Sequence, residues 1–242
     1  GPCLAEEESV LDESQMKQLL QRLDALADHV ETLSRILDAS PGVRSLPTDE
    51  NTALVRLSSG QRLYVDSRDI GVASHIMTRG SWEGPYVQIA RGLIHPGDTC
   101  IDVGANFGYY SVLMASMTGP GGSVWSFEPN PHVYRLLEKS LRVNGYIMNG
   151  VAKPFPVALG GAKGSAKLSF KMGDFGGGSL YSSADRVNAE GLDTVEVEVR
   201  TLDDMALDTS RPIFMKLDAE GAEFEVLRGA TKTLEKAPAV TL

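Results

Sequence analysis

A glycine-rich turn follows a short apolar run near the middle of the chain. Residues 102–108 have the sequence DVGANFG, and an amphipathic stretch begins directly after them. Glycine lets a backbone turn sharply and approach a ligand closely, because a Cβ atom at the same place would collide. The pattern predicts a ligand-binding loop between a strand and a helix, or, as the plainer alternative, a tight turn without a ligand.

Glu128 lies 24 residues after Gly104, at the end of the next predicted strand. A carboxylate at that position can accept both hydrogen bonds from a ribose diol, which indicates an adenosine-containing cofactor. The dinucleotide pattern G-x-G-x-x-G is not met, since Asn106 replaces its second glycine and Gly108 comes one residue early for the third. Asp102 also places a negative charge at the turn, which repels a pyrophosphate. A sulfonium cofactor with an amino-acid tail therefore fits better than a dinucleotide.

A second cluster of ionisable residues follows a later apolar run, where residues 215–223 have the sequence MKLDAEGAE. Three carboxylates beside Lys216 could supply a general base, a metal site or a charged helix start. Asp218 comes at the strand end, where a doubly wound sheet keeps its site. We expect a site role for Asp218 and Glu220, and a helix-start role for Glu223.

The elements that must position these residues alternate between strands and helices. This alternation predicts an α/β fold with a doubly wound open sheet and ligands at the carboxyl ends of its strands. The final predicted strand, 239–242, begins where the sequence ends, so we expect the C-terminal part of the sheet to be missing from this chain. The buried strands are predicted at Thr99–Val103, Ser123–Phe127, 155–159 and Ile213–Leu217, with helices at 109–117, from Pro131 and around Phe224.

Further elements flank this core. A β-hairpin is predicted over 53–65 and helices over 70–79 and 86–93. Alternating strands are predicted at 168–172 and 195–199. The glycine-rich segment 173–181 after the first of these is predicted to be a loop, either a mobile lid over the acceptor site or a flexible connection. Trp82 and Glu83 could form a wall of the site, although Trp82 could equally belong to the core.

Residues 14–38 carry a seven-residue apolar repeat, which predicts one helix and the seam of a coiled coil. The alternative is an amphipathic helix packed on its own domain. The coiled coil would make a homo-oligomer, either a dimer or a trimer. We therefore divide the chain into a helix (1–40, in which Gly1 and Pro2 resemble an expression scar), a polar linker (41–51) and one domain (52–242). The repeat consists of Met16, Leu19, Leu23, Leu26, Val30, Leu33 and Leu37.

Composition excludes several classes of function. The 242 residues are 42% hydrophobic and 23% charged, as in ordinary globular proteins. The net charge of −9 leaves no basic surface for nucleic acid. Two cysteines, Cys3 and Cys100, cannot form a disulfide framework or a four-ligand zinc site. This use of cysteine indicates a reducing compartment. Neither a membrane span nor a signal sequence is evident, and the expected localisation is cytoplasmic.

Taken together, the motifs resemble the FkbM family of S-adenosylmethionine-dependent O-methyltransferases. The resemblance covers roughly residues 66–242 and leaves the N-terminal repeat outside. It rests on CIDVGANFG (100–108), FEPN (127–130), MKLDAEGAE (215–223), Gly80-x-Trp82-Glu83 and Thr201-Leu202-Asp203.

The resemblance implies a class I, Rossmann-like methyltransferase sheet and a cofactor site. It places Asp102, Gly104, Asn106 and Gly108 around the methionyl part of S-adenosylmethionine, and Glu128 on the ribose. Asn130 of the FEPN motif joins this cofactor-binding set. Many class I enzymes hold the adenine with an acid after the third strand, but Val157 and Ala158 occupy that region here. We expect the backbone near Ala158 to make this contact.

The predicted function is O-methylation of a hydroxyl group on a carbohydrate or another secondary metabolite. A hydroxyl is a poor nucleophile at its own pKa, so Asp218 and Glu220 are the expected catalytic residues, directly or through Mg²⁺. His132 is expected on the first turn of its helix rather than in catalysis. Two alternatives are a degenerate methyltransferase-like scaffold oligomerised by its coiled coil and a nicotinamide-dependent oxidoreductase.

Overall fold

The computed structural model describes residues 12–40, 42–171, 173–179 and 192–242. The chain divides into two compact units, with the boundary between Val43 and Arg44. The first unit contains helix α1 (Glu13–Ala39), which confirms the helix predicted over 14–38. The Asp12 carboxylate accepts a hydrogen bond from the Gln15 amide at 2.7 Å, and the Gln15 side chain accepts one from the Asp12 amide at 3.0 Å. This capping box fixes the start of the helix. Coiled-coil pairing stays a prediction, and Gly1, Pro2 and Cys3 lie outside the described residues.

The second unit contains the remaining described elements. In chain order they are β1 (Ser45–Pro47), β2 (Thr52–Arg56), β3 (Arg62–Asp66), α2 (Val72–Arg79), α3 (Gly84–Leu93), β4 (Thr99–Val103), α4 (Tyr109–Thr118), β5 (Ser123–Phe127), α5 (Pro131–Val143), β6 (Ala152–Phe155), β7 (Ala158–Leu159), β8 (Gly164–Lys171), β9 (Asp174–Ser179), β10 (Leu192–Arg200), a 3₁₀ turn (Leu202–Asp204), β11 (Ile213–Leu217), α6 (Glu223–Arg228), α7 (Thr231–Lys236) and β12 (Val240–Thr241).

The central sheet is parallel and has the order β12-β11-β4-β5-β6. From β4 the chain moves outward through β5 to β6 and then returns to β11 on the other side. The strand order therefore reverses between β4 and β11, which is where a doubly wound sheet forms its ligand crevice. This topology confirms the predicted α/β, Rossmann-like fold.

Both faces of the central sheet are covered, which explains why β4 is buried throughout. Ile101 and Val103 point to a core cluster that also contains Val226 of α6. Cys100 points to the opposite cluster, together with Met114 of α4. Cys100 is a free thiol, and burial raises its pKa to about 12. The thiol is therefore part of the packing and is not ionised at neutral pH.

A three-stranded antiparallel sheet, β1-β2-β3, packs beside α5. Strands β2 and β3 confirm the predicted hairpin. The predicted linker 41–51 is not wholly irregular, because β1 within it pairs with β2. At the C-cap of α5, the Asn144 side chain accepts a hydrogen bond from the Arg62 amide at 2.9 Å and donates one to the Arg62 carbonyl at 2.6 Å. These two bonds satisfy the backbone amide and carbonyl of Arg62 at the edge of β3, as a neighbouring strand would.

The third strand of the parallel sheet was expected at 155–159, and this expectation is wrong. The strand is β6, three residues earlier, and it ends at Phe155. Pro154 lies inside it, which an edge strand tolerates because the missing amide is not needed by a further neighbour. Ala158 and Leu159 instead form β7, which pairs in parallel with β10 in a separate four-stranded sheet.

The glycine-rich segment was expected to be a loop, but its described part is the strand β9, paired antiparallel with β8. Glycines carry no side chain and therefore no apolar alternation, so the sequence gives no period-two signature here. Phe175, buried at 6% exposure, provides the packing that holds the strand. Met172, Leu180 and Tyr181 lie outside the described residues. Among the described helices, none is long and apolar enough to cross a membrane.

Candidate active site

A cleft of about 410 Å³ opens at the carboxyl ends of β4, β5 and β11, next to the point where the strand order reverses. Most of the residues expected at the site line this cleft. They are Gly104, Asn106, Glu128, Asn130, Ala158, Asp218 and Glu220.

Gly104 brings two strand-end loops into direct contact. Its φ of +72° lies in the left-handed region that favours glycine, and a Cβ atom there would collide with the carbonyl oxygen of Asp218. The amides of Gly104 and Ala105 both donate to the Phe127 carbonyl, at 3.1 and 3.0 Å. The glycine turn is therefore fixed between the end of β5 and the loop after β11.

Glu128 connects the loop after β4 to the loop after β5. One carboxylate oxygen accepts from the Asn106 amide at 2.9 Å, and the other accepts from the Asn130 amide at 2.8 Å. Burial raises the pKa of this carboxyl to about 7, although both amide bonds and the charge of Lys216 oppose the rise. Each oxygen keeps a further lone pair, so the carboxylate can still accept two hydroxyl groups from a ligand.

Asn130 carries an unsatisfied donor beside the cleft. Its side-chain oxygen caps α5, accepting from the His132 and Val133 amides at 3.0 and 3.5 Å. Its side-chain nitrogen is buried, and no described residue accepts a hydrogen bond from it. Such a group costs about 1–3 kcal/mol when it stays unpaired, so its position favours a bound ligand.

Asp102 and Gly108 lie behind the cleft wall rather than in it. Asp102 is 0% exposed, and its carboxylate accepts a 2.6 Å hydrogen bond from the Ser111 hydroxyl on α4. Gly108 begins α4 with a φ of +90°, and a Cβ atom there would lie 2.7 Å from a methyl group of Leu137 on α5. Asp102 can therefore influence a ligand through its charge, and Gly108 through the packing of two helices.

The three carboxylates of the acidic cluster after β11 differ in their exposure and in their contacts. Asp218 lines the cleft with a side chain that is 61% exposed, and one of its oxygens lies 3.3 Å from the Lys216 ammonium. The pKa of Glu220 is raised by partial burial and by the negative charges of Asp218 and two other acids. Glu223 begins α6, and its carboxylate accepts from the Ala219 and Gly221 amides at 3.0 and 3.2 Å. Through these bonds Glu223 stabilises the loop that precedes α6, which agrees with its predicted role at the start of a helix.

A further part of the cleft wall comes from the segment before the central sheet and from α4. Trp82 and Glu83 both line the cleft, together with Tyr110 of α4. The Tyr110 hydroxyl donates a 2.8 Å hydrogen bond to the Glu83 carboxylate. Burial and this bond both raise the pKa of Tyr110, so its hydroxyl stays protonated at neutral pH.

A comparison with known families identifies the family to which this chain belongs. Residues 102–241, more than half of the chain, match the family described as methyltransferase FkbM domain. The chain belongs to the FkbM methyltransferase family. The match contains both loops of the cleft and the acidic cluster after β11.

Two curated relatives cover similar stretches of this FkbM chain. The hexuronic acid methyltransferase AglP of Haloferax volcanii is 29% identical over 143 residues, which is 57% of this chain and 52% of the relative. The methyltransferase sdnD of Sordaria araneosa is 28% identical over 155 residues, 53% of this chain and 59% of the relative. The chain thus spans somewhat over half the length of these relatives. A crystal structure of methyltransferase FkbM from Methylobacillus flagellatus KT aligns at 19% identity and a TM-score of 0.41, covering 62% of this chain and 34% of that one.

The Mg²⁺ expectation finds no support in the geometry of this FkbM domain. Among the described residues, no three acidic, histidine or cysteine side chains gather into a group that could hold a metal ion. Glu223 is turned to backbone amides, as its hydrogen bonds show.

The segment 173–181 was expected to be a loop, either a mobile lid over the acceptor site or a flexible connection, and its contribution to the FkbM cleft as strand β9 was not predicted. Asp174 and Phe175 both line it, and the Phe175 ring packs against His132 at 5.2 Å between centroids. The Phe175 amide donates to the buried Asp69 carboxylate at 3.0 Å, and the other Asp69 oxygen accepts from the Ala73 amide at 2.8 Å. The sequence signal for this contact was Asp69 itself, because an aspartate just before a predicted helix is typical of a helix cap.

Proposed function

We propose that this chain is an S-adenosylmethionine-dependent methyltransferase that methylates a hydroxyl group of a carbohydrate or another secondary metabolite. The observation that carries the proposal is the buried Glu128 carboxylate, fixed by two backbone amides at the edge of the cleft and with lone pairs free to accept a ribose diol. The FkbM family membership supports the same assignment.

The residues around the cleft fit the cofactor. Glu128 would accept the ribose hydroxyls, and the unpaired Asn130 nitrogen would donate to an oxygen of the ligand. Ala158 and its neighbour Val157 line the part of the cleft where an adenine could pack. The negative charge of Asp102 behind the glycine turn favours a cationic centre over a pyrophosphate. When bound, S-adenosylmethionine supplies the electrophilic methyl group.

Asp218 is the residue proposed to accept the proton of the acceptor hydroxyl. It lines the cleft at the end of β11 and is exposed enough to reach an incoming substrate. Glu220, two residues later, also lines the cleft and would add a second carboxylate at the acceptor side. Methyl transfer is an in-line displacement, so holding the hydroxyl in line is the main contribution of the protein and removing its proton is the second.

The name of one relative supports a carbohydrate acceptor. AglP is named as a hexuronic acid methyltransferase and is 29% identical to this chain over the aligned residues. A sugar hydroxyl presents the kind of nucleophile for which a carboxylate base is needed.

Calorimetric titration with S-adenosylhomocysteine and with NAD tests the cofactor assignment. We expect binding of S-adenosylhomocysteine alone, and NAD binding alone would overturn the proposal. Methyl transfer is then measured with labelled S-adenosylmethionine against a panel of hydroxyl-bearing sugars and metabolites. A chain that binds neither compound would be a methyltransferase-like scaffold.

A further inference from the structure

Lys216 occupies the centre of the site without a role in the function proposed above. It lies on β11, directly opposite Asp102 of β4 in the sheet register. Its side chain lines the cleft and is 19% exposed. Its ammonium group donates a 2.9 Å hydrogen bond to the Gly104 carbonyl, and it lies 3.6 Å from Asp102 and 3.3 Å from Asp218.

Two of these contacts hold the lysine in place. Asp102 is completely buried, and a buried carboxylate needs a cation nearby because its desolvation is costly. The Gly104 carbonyl belongs to the glycine turn, which is itself fixed to the end of β5. The ammonium group is therefore held by Asp102 in the central sheet and by the Gly104 carbonyl in the glycine turn.

The third contact acts on a side chain with more freedom. Asp218 is 61% exposed, and an exposed aspartate at a strand end can populate several rotamers. An ammonium that is already held at two points restricts that choice, because one Asp218 oxygen is attracted to it at 3.3 Å. The Tyr110 ring, with its centroid 5.5 Å from the ammonium, is a further neighbour that restricts the lysine side chain.

We infer that Lys216 is a positioning residue, held by Asp102 and the Gly104 carbonyl, that keeps the Asp218 carboxylate where an acceptor hydroxyl must lose its proton. The inference rests on the proposed function, since it gives Asp218 its role as the base. It also connects the two halves of the cleft, because the glycine turn of the cofactor side and the base of the acceptor side share one ammonium group.

A double-mutant cycle in the full chain tests the inference, with Lys216→Met, Asp218→Asn and the combination of both. We expect Lys216→Met to lower kcat about 10- to 100-fold at saturating S-adenosylmethionine. In the Asp218→Asn background the same change should lower kcat by less than about twofold, because its target is already absent. Lys216→Arg should restore most of the loss. Fully additive effects on kcat would overturn the inference.

Lys216→Met leaves Asp102 buried without its cation, so folding needs a separate control. Lys216→Met combined with Asp102→Asn removes both charges, and its kcat is compared with that of Asp102→Asn alone. We expect the combined variant to be the slower one, since only it leaves Asp218 unheld. Equal kcat values would show that Lys216 serves only to neutralise Asp102. Lys153→Met is the matched control, because Lys153 is exposed, lies 4.5 Å over the Trp125 ring and does not line the cleft.

The two proposals fail in different ways. A wild-type chain that does not bind S-adenosylhomocysteine contradicts the proposed function. A wild-type chain that binds and turns over, while Lys216→Met matches Lys153→Met, contradicts only the inference. The cycle between Lys216 and Asp218 is also measured by chemical denaturation, which needs no activity. Additive shifts of the denaturation midpoint there would contradict the contact itself.

Discussion

The two sides of the cleft are built differently. On the side proposed to bind the cofactor, Glu128 and Asn130 are 8% and 3% exposed, and both carboxylate oxygens of Glu128 already accept hydrogen bonds from backbone amides. On the side proposed to bind the acceptor, the Asp218 side chain is 61% exposed and has an ion pair with Lys216. The buried side is suited to one defined ligand, whereas the exposed side can accommodate different acceptors.

The largest expected effect lies on the exposed side. Asp218→Asn keeps the shape of the side chain but removes its charge and basicity. We predict a loss of about 10²–10⁴ in kcat on the true acceptor, with S-adenosylmethionine affinity within a few-fold of wild type. Single-turnover kinetics and calorimetry measure the two quantities. EDTA treatment of the wild type then distinguishes a carboxylate that acts alone from one that holds a metal ion. Near-normal turnover by the variant would show that Asp218 is a charged loop residue without a catalytic role.

The contact between the two sides should be the next most sensitive feature. Gly104→Ala places a Cβ atom against the Asp218 carbonyl and strains a φ of +72°. We predict a loss of about 3 kcal/mol or more in the free energy of unfolding, with weakened cofactor binding. Gly145→Ala is the control, because Gly145 has a similar φ of +77° but open space around it. It should cost only about 1–2 kcal/mol by urea denaturation. Equal losses would show that strain alone matters at Gly104.

On the buried side, Glu128→Ala should weaken S-adenosylhomocysteine binding by about 1–3 kcal/mol, since the ribose diol loses a charged acceptor. Calorimetry measures the affinity, and Glu128→Gln is the matched variant that keeps the shape. Unchanged affinity in both would contradict the placement of the cofactor.

The Glu128 carboxyl should also make the affinity for S-adenosylhomocysteine depend on pH. Its pKa is raised to about 7 by burial, so the carboxyl gains a proton as the pH falls below that value. The ionised form is the one that accepts two hydroxyl hydrogen bonds. Affinity should therefore fall as the pH drops below about 7, by at most tenfold per pH unit. In Glu128→Gln this dependence should be absent.

The smallest effect on the cleft is expected from the N-terminal unit. Deleting residues 1–40 should leave a domain that binds the cofactor as before but has a lower mass in light scattering, if α1 forms the predicted coiled coil. The heptad pattern is the basis of this expectation. A chain that is monomeric with and without the segment would show that the helix does not associate.

Sequence alone predicted the buried strands of the site well and its supporting contacts poorly. Thr99–Val103 and Ser123–Phe127 are short, largely buried segments rich in apolar residues, and their predicted bounds match the structure. Strand β6 was misplaced because Pro154 argues against a strand unless its edge position is known. Strand β9 was missed because its glycines hide the alternation.

The cluster around Lys216 shows a different limit. The motifs predicted that Asp218 and the glycine turn lie at the same end of the sheet, because the carboxyl ends of parallel strands meet there. It could not show that Lys216 lies opposite Asp102, since this pairing depends on the register between β4 and β11. Residues far apart in sequence become neighbours through that register, and no local pattern records it.

The position of Glu128 also has a consequence for the entropy of binding. Its carboxylate connects the loops after β4 and β5 through two backbone amides, so their relative position is set when the chain folds. A ligand that enters between them loses little affinity to the ordering of flexible backbone, because the ordering is already complete. The loops should accordingly show similar amide hydrogen exchange with and without cofactor, while substitution of Glu128 should release them both.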